Sequence, residues 1–109
     1  MMRLTFTAVV LCLIAGPAFA QDAAHGKQVF TDTKCGVCHS IAGTGNKKGP
    51  LDDVGAKLSA ADIRAWITSA PEMAAKAKSD RKPPMKAYTD LSKSEVDDLV
   101  AYLQTLKKK

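Results

Sequence analysis

The decisive stretch of this sequence reads Cys35-Gly36-Val37-Cys38-His39, a C-x-x-C-H run. Two thiols three positions apart can each add to one vinyl group of the same porphyrin. The histidine beside the second thiol is then held under the iron as its proximal ligand. This spacing is typical of covalent c-type haem attachment. The run therefore predicts one haem c per chain, bonded through Cys35 and Cys38, with His39 as an iron ligand.

Two alternatives to this interpretation need no haem, because the C-x-x-C spacing also occurs in dithiol redox proteins and in zinc sites. A thioredoxin-like protein would require a βαβ context, and the sequence has no such pattern. A zinc site would require a second pair of ligands, and His25 is the one histidine left outside the run. Both alternatives are therefore disfavoured.

The first 20 residues have the pattern of a secretory signal peptide. Arg3 supplies the positive charge, Leu4 to Ala15 is an almost unbroken apolar run, and Ala18-Phe19-Ala20 is an A-x-A cleavage site. The run is short for a bilayer span, so a retained membrane anchor is the weaker alternative. We predict a cleaved signal peptide over residues 1–20 and a mature domain over residues 21–109, located in the periplasm without stable membrane insertion.

The size and charge of the mature domain narrow its function further. Its 89 residues can bury little apolar area, and folds of this size usually need additional stabilisation. A bound haem would supply the missing apolar centre. Loss of Arg3 leaves 15 basic and 11 acidic side chains, so that the net charge falls from +5 to +4. This mild, unpatterned basicity suits an acidic protein partner and argues against nucleic acid.

Hydrophobic periodicity predicts an all-α fold of three to five short helices, with no convincing strand. The predicted helices cover Ala23 to Asp32, Ser59 to Ser69, Pro71 to Lys78, and a last segment that opens at Ser92. Ser92 and Glu95 have the spacing of a full capping box. Residues 41–55 are rich in glycine and are predicted to form a loop.

A six-coordinate haem needs a second iron ligand opposite His39. The candidates are His25, Met73 and Met85. Met85 follows Pro83-Pro84, whose rigid backbone can present the thioether at low entropic cost. Met73 lies in a segment typical of a packing residue, and His25 has a position typical of a solvated or capping histidine. We predict that His39 and Met85 bind the iron, a pair that raises the reduction potential; the alternative is that Met85 fills a gap in the core.

The sequence as a whole resembles the class I c-type cytochromes, small monohaem bacterial electron carriers. The resemblance covers the mature chain and rests on five segments in order: G-x-x-x-F at Gly26 to Phe30, CGVCH, Gly49-Pro50-Leu51, P-P-M-x-A-Y at Pro83 to Tyr88, and L-S-x-x-E-x-x-x-L-x-A-Y-L from Leu91 to Leu103. One departure is Lys86, where many relatives have a further proline. The resemblance implies the cytochrome c fold, in which short helices surround one covalently bound haem and the first and last helices cross.

The resemblance also implies where the terminal helices meet. Gly26 and Phe30 should contact Leu99 and Tyr102 at the crossing. A glycine at position 26 would allow the two backbones to approach closely.

Three further residues receive a role around the haem from the same resemblance. Pro50 should pack beside His39 and accept the other imidazole N–H with its carbonyl, which orients the ring. Trp66 either donates its indole N–H to a haem propionate or is a plain core tryptophan. Tyr88 is expected to line the haem pocket.

The function that the resemblance implies is that of a monomeric one-electron carrier and not of an enzyme, because two bound ligands leave no coordination position for a substrate. The expected partners are a reductase and an oxidase. Lysines that flank the cofactor segments could steer such partners, or they form an ordinary solvated surface; they are Lys47, Lys48, Lys82 and Lys86. The alternative is a haem-based ligand sensor or weak peroxidase in which Met85 is displaced, although no distal histidine or arginine can be assigned to it.

Overall fold

The computed structural model describes residues 22–108, so the predicted signal peptide lies outside the described part of the chain. The helices are α1 (Ala23–Asp32), α2 (Val54–Lys57), α3 (Ala60–Thr68), α4 (Ala70–Ala77) and α5 (Lys93–Gln104). A 3₁₀ turn covers Cys35–Val37. The predicted all-α fold is confirmed. Within residues 22–108, no helix combines the length and the apolar character needed to cross a membrane.

The glycine-rich region was predicted to be loop throughout, and the structure corrects this in two places. Strands β1 (Ser40–Ile41) and β2 (Thr44–Gly45) pair antiparallel. The two residues between them, Ala42 and Gly43, have φ of 51° and 80°, and positive φ at both positions is what a tight two-residue hairpin turn requires. The second correction is the short helix α2, which begins inside the same region.

Side-chain caps fix where three helices begin. Asp22 accepts the backbone N–H of His25 at the start of α1, and Ser59 accepts that of Asp62 at the start of α3. At α5 the predicted capping box is confirmed: Ser92 Oγ accepts the N–H of Glu95 at 3.1 Å, and Glu95 Oε1 accepts the N–H of Ser92 at 3.0 Å. These bonds satisfy amide groups that have no partner within the helix.

Helices α1 and α5 cross in direct contact, as predicted. Gly26 is buried, and a Cβ built on it would overlap the carbonyl oxygen of Asp98 and lie 2.8 Å from Cβ of Tyr102. One turn further along, the rings of Phe30 and Tyr102 meet edge to face, with centroids 6.0 Å apart. Leu99 is 2% exposed at the same interface. The crossing therefore depends on the absence of a side chain at position 26.

A second feature of this crossing is an ion pair that the sequence did not reveal. Asp98 is 9% exposed; its Oδ1 accepts the N–H of Asp22 at 2.8 Å, and its Oδ2 lies 2.7 Å from Nδ1 of His25. The bond from Asp22 and then that from His25 lower the pKa of Asp98. The hydrogen bond to Asp98 raises the pKa of His25. The start of α1 is thus fastened to the middle of α5.

The hydrophobic core lies where α1, α3 and α5 face each other. Its buried members are Val29, Ile63, Ile67, Val96, Leu99, Val100 and Leu103. Four of these side chains, Ile63, Ile67, Leu99 and Leu103, also line an apolar cavity. The core is therefore continuous with the candidate site.

Candidate haem site

A single apolar cavity collects most of the residues predicted to bind haem. Its volume is about 270 Å³, just below the usual range for ligand pockets of roughly 300–1,000 Å³, and its mouth opens to solvent. Six of the seven predicted site residues line it: Cys35, Cys38, His39, Trp66, Met85 and Tyr88. The seventh, Pro50, is exposed and does not line the cavity.

The remaining wall is formed mainly by aliphatic and aromatic side chains from α1, α3, α5 and the region around α2. They include Phe30, Leu51, Val54, Leu58, Ile63, Ile67, Leu99 and Leu103. An open cavity with this apolar lining suits a flat, mostly apolar molecule. The donors at its edge are two free thiols, an imidazole and a thioether. Covalent haem needs that donor set, so the residues present fit the cofactor.

The local fold of the CGVCH run directs its three functional side chains to one cavity. Lys34, with φ of 60°, reverses the chain before the 3₁₀ turn. The carbonyl of Cys35 then accepts the N–H groups of both Cys38 and His39, at 3.2 Å and 3.0 Å. This turn keeps the thiols and the imidazole close together. Burial raises the pKa of Cys35 to about 11, so this thiol is protonated at neutral pH.

The ring of His39 is oriented by a backbone carbonyl group, but the residue that supplies this carbonyl was wrongly predicted. Nδ1 of His39 lies 3.0 Å from the carbonyl oxygen of Gly49, not from that of Pro50. The reason is the register of the backbone: Ser40 also donates to Gly49 O, and Leu51 donates back to Ser40 O, in an isolated bridge. This bridge places the carbonyl one residue earlier than expected.

The contact with Gly49 also defines the protonation of His39. A carbonyl oxygen can only accept, so Nδ1 carries the hydrogen and Nε2 keeps a free lone pair. Burial lowers the pKa of His39; the bond to Gly49 opposes this, and the positive charge of Arg81 adds to it. The imidazole is therefore neutral at neutral pH, which is the form that can bind a metal ion.

Of the three candidates for a second ligand, Met85 is the one that lines the cavity. Met73 lies on α4 and is half-buried outside the cavity wall. His25 is exposed at the far side of α1 and is engaged with Asp98. Met85 belongs to an irregular segment whose end is fixed by the N–H of Tyr88, which donates to the carbonyl of Ile67 at 2.8 Å.

Trp66 and Tyr88 both form part of the cavity wall, and both are half-buried. Burial raises the pKa of Tyr88, so its hydroxyl is protonated at neutral pH. The ammonium group of Lys86 lies 5.0 Å from the centre of the Tyr88 ring, a cation–π distance. Lys86, which stands where many relatives have a proline, thus contacts Tyr88 within the segment that carries Met85.

One residue of the site was missed by the sequence reasoning. Arg81 lines the cavity, and its guanidinium group donates to the carbonyl oxygen of Cys38. The two residues are 43 positions apart, and no local pattern connects them. The only signal in the sequence was the position of this charged residue, four places before Met85 in a polar segment.

The haem-free alternatives receive no support from the structure. Within residues 22–108, no cluster of three or more His, Cys, Asp or Glu side chains gathers that could hold a metal ion. The two cysteines lie in a helical fold and not in the βαβ context of a thioredoxin-like protein.

Comparison with known proteins agrees with this site. A family model described as Cytochrome c matches residues 23–107. Cytochrome c2 of Blastochloris viridis is 52% identical over 52 residues, which are 47% of this chain and 39% of that protein. Cytochrome c oxidase subunit 2 of Alkalihalophilus pseudofirmus is 32% identical over 91 residues, 75% of this chain and 25% of that protein. The matches thus span less than half of either relative. No solved structure gave a significant match.

Proposed function

The chain belongs to the cytochrome c family, as a class I monohaem member that binds c-type haem covalently, and we propose that it is a periplasmic one-electron carrier in which His39 and Met85 bind the iron. The observation that carries this proposal is the convergence of both thiols, His39 and Met85 on one apolar cavity. When bound, the haem supplies reversible exchange of one electron between ferric and ferrous iron.

The protein residues have three tasks in this proposal. Cys35 and Cys38 bond the cofactor to the chain. Gly49 holds the N–H of His39, which leaves the opposite ring nitrogen available to the iron and raises its basicity. Met85 offers a soft thioether, which favours ferrous iron and a high reduction potential. The apolar wall keeps water away from these groups, which further favours the form with lower charge.

A carrier is better supported than the alternative of a ligand sensor or peroxidase. With His39 and Met85 both bound, no coordination position is left for a substrate or for peroxide. A peroxidase would need a polar group opposite His39 that could act on bound peroxide. Arg81 does not suit that role, because its guanidinium group is engaged with the carbonyl of Cys38, next to His39 on the proximal side.

We also propose that the partners are redox proteins, a reductase and an oxidase, which dock near the cofactor segments. Four lysines there are exposed and could meet acidic surfaces: Lys47, Lys48, Lys82 and Lys86. The likeness to a cytochrome c oxidase subunit supports an oxidase as the acceptor. The signal-peptide pattern of residues 1–20 supports a periplasmic location.

The ligand assignment is tested by replacing each methionine and measuring the reduction potential. Met85→Ala should lower the potential by about 0.1 V or more, since axial ligands set haem potentials over a range of roughly 0.8 V. Met73→Ala, at a half-buried position outside the cavity, should leave it unchanged. Equal potentials for the wild type and Met85→Ala would refute the assignment.

A further inference from the structure

The segment that carries Met85 has few connections to the rest of the chain. Its start is fixed by the N–H of Ser79, which donates to the carbonyl of Ala74 at 2.9 Å, and its end by the N–H of Tyr88 on Ile67. Between these points the N–H of Arg81 makes a local bond to Oγ of Ser79 at 3.4 Å. Among the residues that the structure describes, one hydrogen bond joins residues 80–87 to a part of the chain beyond these two anchor points. It is the bond from the guanidinium of Arg81 to the carbonyl oxygen of Cys38.

The guanidinium group is also packed against a second part of the attachment region. A Cβ built on Gly49 would collide with the guanidinium of Arg81 and with the carbonyl oxygen of Cys38. The absence of a side chain at Gly49 therefore makes room for the arginine. Gly49 is the same residue whose carbonyl oxygen accepts from His39. Arg81 thus contacts two backbone groups next to His39. One is the carbonyl of Cys38, which precedes His39 in the chain, and the other is Gly49, which is hydrogen-bonded to the His39 ring.

Among residues 22–108, no acidic side chain holds Arg81 in this position. Within the described residues, the ion pairs involve His25 with Asp98, and Arg64 and Lys93 with Asp97. No Asp or Glu side chain in the described part of the chain lies within ion-pair distance of Arg81. Its charged group is half-buried in the cavity wall and bonded to a backbone carbonyl, an arrangement that is stronger than a neutral hydrogen bond.

We propose that Arg81 is a positioning residue that fastens the Met85 segment to the haem attachment run through the carbonyl of Cys38, and so keeps Met85 at the iron. The inference rests on the proposed function, because it requires Met85 to be an iron ligand. Without this bond, residues 80–87 are tied at their two ends only, and the segment swings away from the cavity more often. A small external ligand then competes with Met85 more effectively.

The experiment measures the binding of imidazole to the ferric, haem-loaded protein. In Arg81→Gln the affinity for imidazole should rise at least tenfold, which corresponds to about 1.4 kcal/mol and is in keeping with the loss of a charge-assisted hydrogen bond. Lys76→Gln removes the same charge at an exposed position on α4, and its affinity should stay within twofold of the wild type. Arg81→Met keeps the apolar stem without the donor, and the same tenfold rise is expected of it if Arg81→Gln does not acquire haem.

A spectroscopic measurement separates positioning from general stability. On warming, Arg81→Gln should lose the weak red band of methionine–iron ligation well before its helical circular dichroism; loss of both signals together would show a merely structural role and overturn the inference. Wild-type affinity for imidazole in the Arg81 variants, with the red band present in the wild type, would also overturn it while leaving the proposed function intact. Absence of that band in the wild type would refute the proposed function itself.

Discussion

Gly26→Ala tests the crossing of α1 and α5, on which the closed fold depends. The added methyl group would overlap the carbonyl oxygen of Asp98 and lie 2.8 Å from Cβ of Tyr102. Both obstacles sit on or next to the backbone of α5, so neither can turn aside as the end of a flexible side chain would. Helix α1 must therefore move outward.

The size of the effect follows from two opposing contributions. Overpacking typically costs about 1–3 kcal/mol, and a backbone obstacle places this site at the upper end. Alanine in place of glycine inside a helix stabilises the helix by about 1 kcal/mol, which opposes this loss. Outward movement of α1 also weakens the contact of Phe30 with Tyr102, which contributes about 0.5–1.5 kcal/mol. The net loss is about 2–3.5 kcal/mol, or roughly 8–28 °C in the melting temperature of a domain this small.

Thermal and urea unfolding of the haem-loaded protein, followed by circular dichroism, measure this loss. Gly36→Ala is the matched control, because a Cβ at Gly36 would meet no atom within 4 Å. Because the added methyl group meets no neighbour at this half-buried position, the unfolding free energy should stay within about 0.5 kcal/mol of the wild type. If Gly26→Ala is as stable as the wild type or more stable, the close contact between α1 and α5 is refuted.

Three further outcomes are expected. Ser92→Ala removes the cap of α5 and should lower the unfolding free energy by about 1 kcal/mol; an unchanged value in urea titration would contradict the capping box. The raised pKa of His25 gives stability that is present below pH 6.5 and lost as the pH rises through its folded-state pKa, whereas the lowered pKa of Asp98 gives stability that is present above pH 3.8 and lost as the pH falls. The unfolding free energy of the wild type should therefore exceed that of Asp98→Asn most between about pH 4 and 6.5. A difference between the two proteins that does not change with pH would refute the ion pair. Replacement of both Cys35 and Cys38 by alanine should abolish covalent haem and leave a mostly unfolded chain; a folded, stable haem-free double variant would show that haem is not needed as the core.

Much of the fold could be predicted because its signals are local. The capping box at Ser92 and Glu95 announces the start of α5 within four residues. The glycine at position 26 and the aromatic residue at position 30 are one turn apart, so they lie on the same face of α1. Helix periodicity and caps depend on residues that are close in sequence, and the helices in the structure agree with these local patterns.

The errors arise where the outcome depends on register or on distant contacts. The carbonyl that orients His39 was misplaced by one residue, because the register of the bridge between Ser40 and Pro50 cannot be read from composition. The hairpin around Ala42 was missed because its turn lacks the usual Asn-Gly or Asp-Gly pair. Arg81 was missed because its partner lies 43 residues away. The cofactor ligands were found early because the chemistry of haem attachment requires their spacing.

The central claim is that the protein carries an electron on a haem whose two axial positions are both filled, by His39 and Met85. The optical spectrum of the wild-type ferric protein, recorded before and after addition of cyanide and, after reduction, carbon monoxide, tests it most directly. With both positions filled, we expect a low-spin spectrum with the weak red band of methionine–iron ligation and little immediate change on addition of either ligand. A high-spin ferric spectrum that shifts at once with cyanide or carbon monoxide would contradict it, and would favour the ligand sensor or peroxidase instead.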